Sequence, residues 1–318
     1  MDRKNKTQVA IFEFSGLTDN GELALFLFLF FLLVYTVTIV GNTGMIILIY
    51  SFSKLHSPMY YLLSSLSFVD LLYTSTVTPK MLCDLLNLKK SITFIGCALQ
   101  FYFFAALANT EGMLLSVMSY DRYVAICHPL HYTLIMTKKK CFGMVLYCSS
   151  VGLLQSSVHT SCVFSLPFCG PNHIDHFYCD LPPMLMLSCS NTLHCDRITA
   201  FLILGFGIYL MTSISVSYTF IISTILRMTS SKGRQKTFST CSSHIICVLT
   251  FCTAVFFVYL HPNSGTFEKQ DKVASVFYCI ITPMLNPLIY SLRNQEVKRN
   301  LMQAMLQMSH NPSAKWED

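Results

Sequence analysis

The chain has 318 residues, of which 53% are apolar and only 12% are charged. Soluble domains carry about 25% charged residues, so the composition argues against a soluble protein and indicates a protein of the membrane. The net charge of +6 does not indicate a nucleic-acid-binding protein, because the Lys and Arg residues are spread over short segments.

Apolar stretches long enough to cross a membrane follow one another along the chain. A transmembrane helix needs roughly 20 apolar residues, and a soluble helical protein would need polar faces that these stretches lack. Five stretches contain no Asp, Glu, Lys or Arg at all: 23–53, 141–174, 198–226, 237–267 and 273–292. Two more carry isolated acids: Met59 to Leu86, with Asp70 and Asp84, and Ser91 to Tyr120, with Glu111. The sequence therefore predicts an all-α membrane protein with a seven-transmembrane helix bundle.

The distribution of basic residues predicts how the chain is oriented in the membrane. It also helps to divide the chain into three parts. Cytoplasmic loops are enriched in Lys and Arg, and the long loop from Ser161 to Asp196 has neither. Asn5 begins an Asn-Lys-Thr acceptor for N-linked glycosylation, which fits an outer terminus. We expect an extracellular N-terminus at 1–22, the bundle at 23–292 and a cytoplasmic tail at 293–318, in the plasma membrane. The pattern over 294–307 is typical of a short amphipathic helix on the inner lipid surface.

Three polar residues fall inside the predicted spans. An amide or carboxyl group at membrane depth is costly unless it is paired, so Asn42 is expected to face other helices. Asp70 and Glu111 lie in the second and third spans. Two acids close together in a low dielectric either share a proton or hold a cation such as sodium. We favour a structural and regulatory sodium site and expect no other cofactor, with an ion or proton transporter that uses both acids as the alternative.

Polar residues also gather at the predicted inner face. The third span ends in Asp121, Arg122 and Tyr123, and Arg122 at a membrane face can stay charged and still pack against neighbouring helices. The sixth span opens with a basic, hydroxyl-rich stretch from Lys236, which is either a membrane anchor or a partner surface. Pro287 removes a backbone hydrogen bond in the seventh span and lets that helix kink. These features predict a switch at the inner face.

Cysteines concentrate near the predicted outer loop. In an oxidising compartment they predict disulfides across the top of the third helix, but their spacing does not fix the pairing. The residues concerned are Cys97, Cys169, Cys179, Cys189 and Cys195. Cys169, His173, His176 and Cys179 together would also suit zinc or copper, although a cysteine cannot be both bridged and a thiolate ligand.

The ordered motifs resemble those of a rhodopsin-like G-protein-coupled receptor: Asn42, Asp70, Cys97, Asp121-Arg122-Tyr123 and Asn286-Pro287-x2-Tyr290. Longer signatures resemble the odorant receptors of vertebrates, and the resemblance extends from about Gly41 to Asn294. They are 55–60, 118–127, 128–132, Ser217-Tyr218, 236–244 and 283–294.

The resemblance implies disulfides between Cys97 and Cys179 and between Cys169 and Cys189. It implies that Asp121-Arg122-Tyr123 holds the resting state and is released toward the stimulatory G protein of olfactory neurons, which raises cyclic AMP. It implies no catalytic residue and no enzymatic activity. The residues assigned to the switch and to G-protein coupling are Asp121, Arg122, Tyr123, Tyr218, Lys236, Asn286, Pro287 and Tyr290.

The resemblance also implies a pocket for a small volatile organic ligand in the outer half of the bundle. Its expected lining comes from spans three, five, six and seven: Phe104, Ala105, Ala108, Asn109, Leu202, Ile203, Phe206, Val255, Phe256, Tyr259 and Cys279. The chain has Cys252 where odorant receptors usually have tyrosine, which changes the pocket floor. A chemoreceptor of the same family used outside the olfactory epithelium is a further alternative.

Overall fold

A computed structural model describes residues 10–169, 172–259, 268–293, 297–300 and 302. Within the helices, the side chains of 236, 239–240, 254–259, 268–271 and 291–293 are left undescribed. The predicted glycosylation site at Asn5 therefore lies outside the described residues, and so does most of the predicted amphipathic helix. In that helix, residues 297–300 are helical, with Val297 buried and Lys298 exposed.

Among the described residues, seven long helical segments form a bundle, and the shorter elements lie at its two ends. The long helices are α1 (Gly21–Ser51), α2 (Pro58–Leu86), α3 (Phe94–Cys127), α5 (Lys138–Phe164), α7 (Leu193–Arg227), α8 (Ser231–Tyr259), and the continuous pair α9 (Glu268–Val276) and α10 (Thr282–Arg293). The shorter elements are β1 (Ile11–Phe14), β2 (Ser91–Thr93), β3 (His173–Ile174), α4 (Tyr132–Ile135) and α6 (Leu181–Met186).

Side chains at the helix starts explain where several helices begin. The first amide groups of a helix have no partner within it, so a preceding polar side chain stabilises the end. Asn20 accepts hydrogen bonds from Glu22 and Leu23 at the start of α1. Thr93 and Thr137 accept from the first turns of α3 and α5. The helix bounds thus follow from local sequence as well as from apolar length.

Apolar side chains cover the outside of the bundle, as expected for helices in lipid. On α1, Leu29 and Leu33 are exposed while Phe31 and Val34 are buried. Among the described residues, five helical stretches are long and apolar enough to cross a membrane: Gly21–Ser51, Phe94–Cys127, Lys138–Phe164, Leu193–Arg227 and Lys272–Tyr290. The prediction of a helical bundle in the membrane is therefore confirmed. α2 is more polar because it carries Asp70 and the ion pair of Lys80 with Asp84.

A close approach of α3 and α5 fixes the relative positions of these two helices. Ser156 donates a hydrogen bond to the Tyr102 carbonyl at 2.6 Å. One turn earlier on α5, a Cβ added to Gly152 would lie 2.6 Å from the Ala106 carbonyl oxygen. Only glycine fits at that distance, so the two antiparallel helices are held in one register.

A small sheet and two disulfides close the outer end. β1 pairs with β2 in antiparallel register and with β3 in parallel register. Cys97 at the start of α3 is bonded to Cys179, and Cys169 is bonded to Cys189. Because Cys169 and Cys179 are both bridged, they cannot serve as thiolate ligands, which excludes the alternative metal site. Cys195 is a buried free cysteine.

Charged side chains tie this outer cap to the helix bundle. The Lys272 amino group on α9 donates to an Asp175 carboxylate oxygen at 2.6 Å and to the Ser15 hydroxyl at 2.9 Å. The hydrogen bond from Lys272 lowers the pKa of Asp175 below its usual value. The neighbouring His176 is 5% exposed, and its ring stacks on Phe177 with centroids 4.7 Å apart. Burial, assisted by the charge of Lys272, lowers the pKa of His176 from 6.5 to about 3.

We predict that the outer cap loses stability on acidification because of His176. The unfolded chain takes up a proton on this ring near pH 6.5, whereas the folded chain takes it up only near pH 3. Stability therefore falls as pH drops below about 6.5, by at most about 1.4 kcal/mol per pH unit. Melting of the purified protein should occur at a lower temperature at pH 5.5 than at pH 7.5.

The variant His176→Phe should lose this pH dependence, since phenylalanine preserves the stacked ring and cannot be protonated. His173→Phe is the matched control, because His173 lies in the same loop and is exposed. The explanation fails if the His176→Phe protein melts with the same pH dependence as the unmodified chain.

Candidate functional site

A cavity of about 410 Å³ opens in the outer half of the bundle between α3, α5, α7 and α8. Its volume is within the usual range for small-molecule sites, about 300 to 1,000 Å³. Most of its wall is apolar, with Phe104, Phe206 and Phe251 among the large side chains. Leu181 and Asp180, which follow the bridged Cys179, cover it on the outer side.

Six residues expected in the pocket line this cavity: Phe104, Ala105, Ala108, Asn109, Ile203 and Phe206. Cys252, identified from the sequence as unusual, also lies on its wall. Leu202 and Cys279 are not among the described lining residues. The side chains of Val255, Phe256 and Tyr259 lie outside the described ones.

A π-helical turn explains why the seventh helical segment presents Tyr278 and not Cys279. The turn spans Phe277–Ile281, and the Thr282 hydroxyl donates to the Phe277 carbonyl five residues back at 3.0 Å. An extra residue per turn rotates the preceding side chains relative to a regular helix. Tyr278 therefore lies on the cavity wall, while Cys279 is 1% exposed in the core.

Sequence reasoning missed the contribution of α5. Gln155 and His159 line the cavity and lie one helical turn apart, on the same face of α5. The available signal was two polar side chains with that spacing in a stretch without charge. Sequence reasoning also missed Asp180 and Leu181, because the outer loop's path over the cavity depends on its disulfides.

A buried polar cluster lies below the cavity. The Asn286 amide on α10 donates to an Asp70 carboxyl oxygen at 3.0 Å and to a Glu111 carboxyl oxygen at 3.3 Å. Asp70 and Glu111 are both 0% exposed. Within the described part of the chain, the second oxygen of each carboxyl group has no hydrogen-bond partner. Two carboxyl groups with free oxygens suit a hard cation, which prefers oxygen ligands.

Asn42 attaches α1 to the same region. Its amide donates to the Pro283 carbonyl at 3.1 Å, so it faces the helix containing Pro287. A Cβ added to Gly41 would lie 3.2 Å from the Pro287 ring. The proline thus packs against a glycine, which gives the interrupted helix close support from α1.

The inner-face residues meet around Arg122. Its side chain is 8% exposed, and its charge acts electrostatically on Tyr218, His244 and Tyr290, which come from three other helical segments. Among the described residues no ion pair joins Asp121 to Arg122. Asp121 accepts a hydrogen bond from the Tyr132 hydroxyl of α4 at 2.9 Å instead. Tyr123 points toward His128, with 3.0 Å between its hydroxyl and the ring nitrogen.

A hydrogen-bonded bridge at His244 joins three helices beside Arg122. The Tyr218 hydroxyl of α7 is 2.8 Å from one nitrogen of the His244 ring on α8, and the other nitrogen is 2.9 Å from the Leu115 carbonyl of α3. Since His244 is 0% exposed, losing either contact would leave a buried polar atom unpaired. This bridge was not predicted, because it joins segments 129 and 26 residues apart.

One face of α8 connects the cavity to this bridge. His244, Cys247 and Phe251 are spaced three and four residues apart and are all buried, so they lie on the same side of the helix. Phe251 lines the cavity, and its ring lies 6.1 Å from that of Tyr278. A ligand against Phe251 therefore touches the helix that carries His244.

Comparisons with known proteins give the family. A sequence model described as "Olfactory receptor" matches residues 31–308. Mouse olfactory receptor 5AR1 is 50% identical over 94% of this chain and 96% of its own length. Human olfactory receptor 5F1 is 49% identical, with coverage of 95% and 96%. Mouse olfactory receptor 5B21 is 48% identical, with coverage of 94% and 93%.

These relatives are receptors, not enzymes, and the family implies odorant ligands and G-protein partners. The apolar helices described above agree with a multi-pass membrane protein. From its matched length and its identity to these relatives, the chain belongs to the olfactory receptor family, the odorant-sensing G-protein-coupled receptors.

Proposed function

We propose that the chain binds a small volatile odorant in the cavity and activates the stimulatory G protein of olfactory neurons, which raises cyclic AMP. The observation that carries the proposal is the single buried face of α8, with Phe251 on the cavity wall and His244 at the inner-face bridge. All seven long helical segments cross the membrane in this proposal, with the N-terminus outside. The same protein would serve as a chemoreceptor wherever it is expressed.

The proposed mechanism is a shift between two arrangements of the helices. An odorant that contacts Phe251 and Tyr278 better in the active arrangement moves the equilibrium by that difference in affinity. Movement of α8 would break the Tyr218 contact with His244 and release Arg122. The freed inner ends of α3, α7 and α8 would then form the surface that the G protein binds, with Lys236 at its edge.

A sodium ion beside Asp70 and Glu111 is part of the proposal for the resting arrangement. The free carboxyl oxygens described above support it. Sodium should raise the melting temperature of the purified receptor relative to the same concentration of a bulky organic cation, because binding to the folded state stabilises it. Asp70→Asn should remove this difference. A melting temperature that is identical in the two salts would contradict the sodium site.

The Arg122→Ala variant tests the inner-face switch. In cells that report cyclic AMP, a broad odorant panel should yield at least one agonist, and the variant should lose the response. Lys139→Ala is the matched control, since Lys139 is an exposed basic residue on the first turn of α5. An antibody against an N-terminal tag on intact cells measures surface amount and tests the proposed orientation at once.

A response of Arg122→Ala equal to that of the unmodified receptor, at equal surface amount, would contradict the role of Arg122. A ligand-independent current that disappears in Asp70→Asn would favour the alternative transporter.

A further inference from the structure

The amide and imidazole side chains of the cavity lie on one wall, formed by α3 and α5. Asn109 comes from α3, and Gln155 and His159 come from α5. The opposite wall, formed by α7 and α8, is mostly apolar, with Phe206, Leu210 and Phe251, and Thr253 adds a hydroxyl group there. A ligand in this cavity therefore meets hydrogen-bonding groups on one side and rings and aliphatic groups on the other.

These polar groups are free to bind a ligand. His159 is 5% exposed, yet within the described chain its ring makes no hydrogen bond, and the Asn109 amide makes none either. Gln155 makes only a long contact, from its amide nitrogen to the Leu202 carbonyl at 3.4 Å. These side chains line the cavity, so a ligand atom that forms hydrogen bonds with them would contribute binding energy.

The register between α3 and α5 places the three polar side chains at successive depths in the cavity. Gly152 faces Ala106 and Thr110, and Ser156 bonds to Tyr102. Asn109 therefore lies near the level of Gly152, and Gln155 and His159 lie successively further out. One helical turn is 5.4 Å, so an oxygen atom bound between Asn109 and Gln155, or between Gln155 and His159, can contact two donors.

The charges around the cavity disfavour an acidic ligand. None of the described residues that line it is Lys or Arg, and Asp180 carries the one carboxyl group among them. Both Asp180 oxygens already accept hydrogen bonds, from the Tyr178 hydroxyl at 2.6 Å and from the Leu181 amide at 2.7 Å. A carboxylate ligand would be desolvated beside this like charge without a cation to pair with.

We infer that the cavity selects neutral oxygen-containing molecules, alcohols, aldehydes or ketones, whose oxygen binds to the Asn109, Gln155 and His159 wall while the hydrocarbon part packs against α7 and α8. The inference rests on the proposed odorant-binding function and specifies the ligand class and the residues that recognise it. A neutral histidine ring has one N–H, and each amide has two, so a carbonyl or hydroxyl oxygen can accept from these side chains.

The test uses the full-length receptor in the cyclic AMP reporter cells and compounds that share one carbon skeleton. Each set contains the alkane, the primary alcohol, the aldehyde, the methyl ketone and the carboxylic acid, in several chain lengths. We expect responses to the alcohols, aldehydes or ketones at concentrations about tenfold or more below those for the alkane and the acid. That ratio corresponds to about 1.4 kcal/mol, within the range for one or two hydrogen bonds.

Three variants test whether the side chains on the α3 and α5 wall cause the preference for alcohols, aldehydes or ketones. His159→Phe, Gln155→Leu and Asn109→Leu remove the donors and keep similar volume, and at least one should weaken the response to the oxygenated agonist about tenfold. Ile203→Val, on the apolar side, is the control and should change all members of a set alike. Antibody labelling at the cell surface normalises each response.

The possible outcomes separate the two proposals. If acids or alkanes act as well as the alcohols, aldehydes and ketones, or if the three variants at normal surface amount leave the preference unchanged, the inference is wrong while the odorant-receptor proposal stands. If no compound of any set acts on the surface-expressed receptor, the odorant-binding proposal for this cavity is contradicted, and the inference with it.

Discussion

The Asn286 amide, held between the carboxyl groups of Asp70 and Glu111, is the contact on which the rest of the bundle depends. Three helical segments meet there with 0% to 3% of each side chain exposed. In lipid such groups can be satisfied only by one another, by a bound ion or by trapped water. The helices must therefore present their polar residues at the same depth, and this requirement aligns α2, α3 and α10.

The outer and inner ends of the bundle, on either side of this polar cluster, are built differently. Toward the outside the helices separate around a mostly apolar cavity, which the disulfide-linked loop covers. Toward the inside they converge on Arg122 and on the bridge from Tyr218 through His244 to Leu115. One face of α8 contributes to both ends, so the cavity wall and the inner-face bridge share one helix.

The sequence predicted much of this arrangement, because membrane helices and costly buried charges leave clear patterns. Asp70 and Glu111 were identified from the expense of polar groups at membrane depth, and Asn286 was identified from its motif with Pro287. The structure brings all three together. Sequence patterns did not predict which residue of the seventh helical segment lines the cavity. The π-helical turn puts Tyr278 on the cavity wall in place of Cys279.

Contacts between segments far apart in the chain were the other feature that the sequence did not predict. The third predicted span began at Ser91, but residues 91–93 form β2 and pair with β1, about 80 residues earlier in the chain. Gln155 and His159 carried a polar spacing signal, but the sequence did not show what they face, since the close approach at Gly152 turns their side of α5 toward α3 and α7. Both arrangements depend on how distant segments pack.

The central claim is that the cavity and the inner face are energetically coupled, and such coupling must be reciprocal. The most direct measurement is the affinity of the purified receptor for an agonist odorant, determined with and without the nucleotide-free stimulatory G protein. The proposed function predicts an affinity at least about fivefold higher with the G protein bound, and a smaller change when Tyr218→Phe removes the contact to His244. An agonist affinity that the bound G protein leaves unchanged would contradict the account.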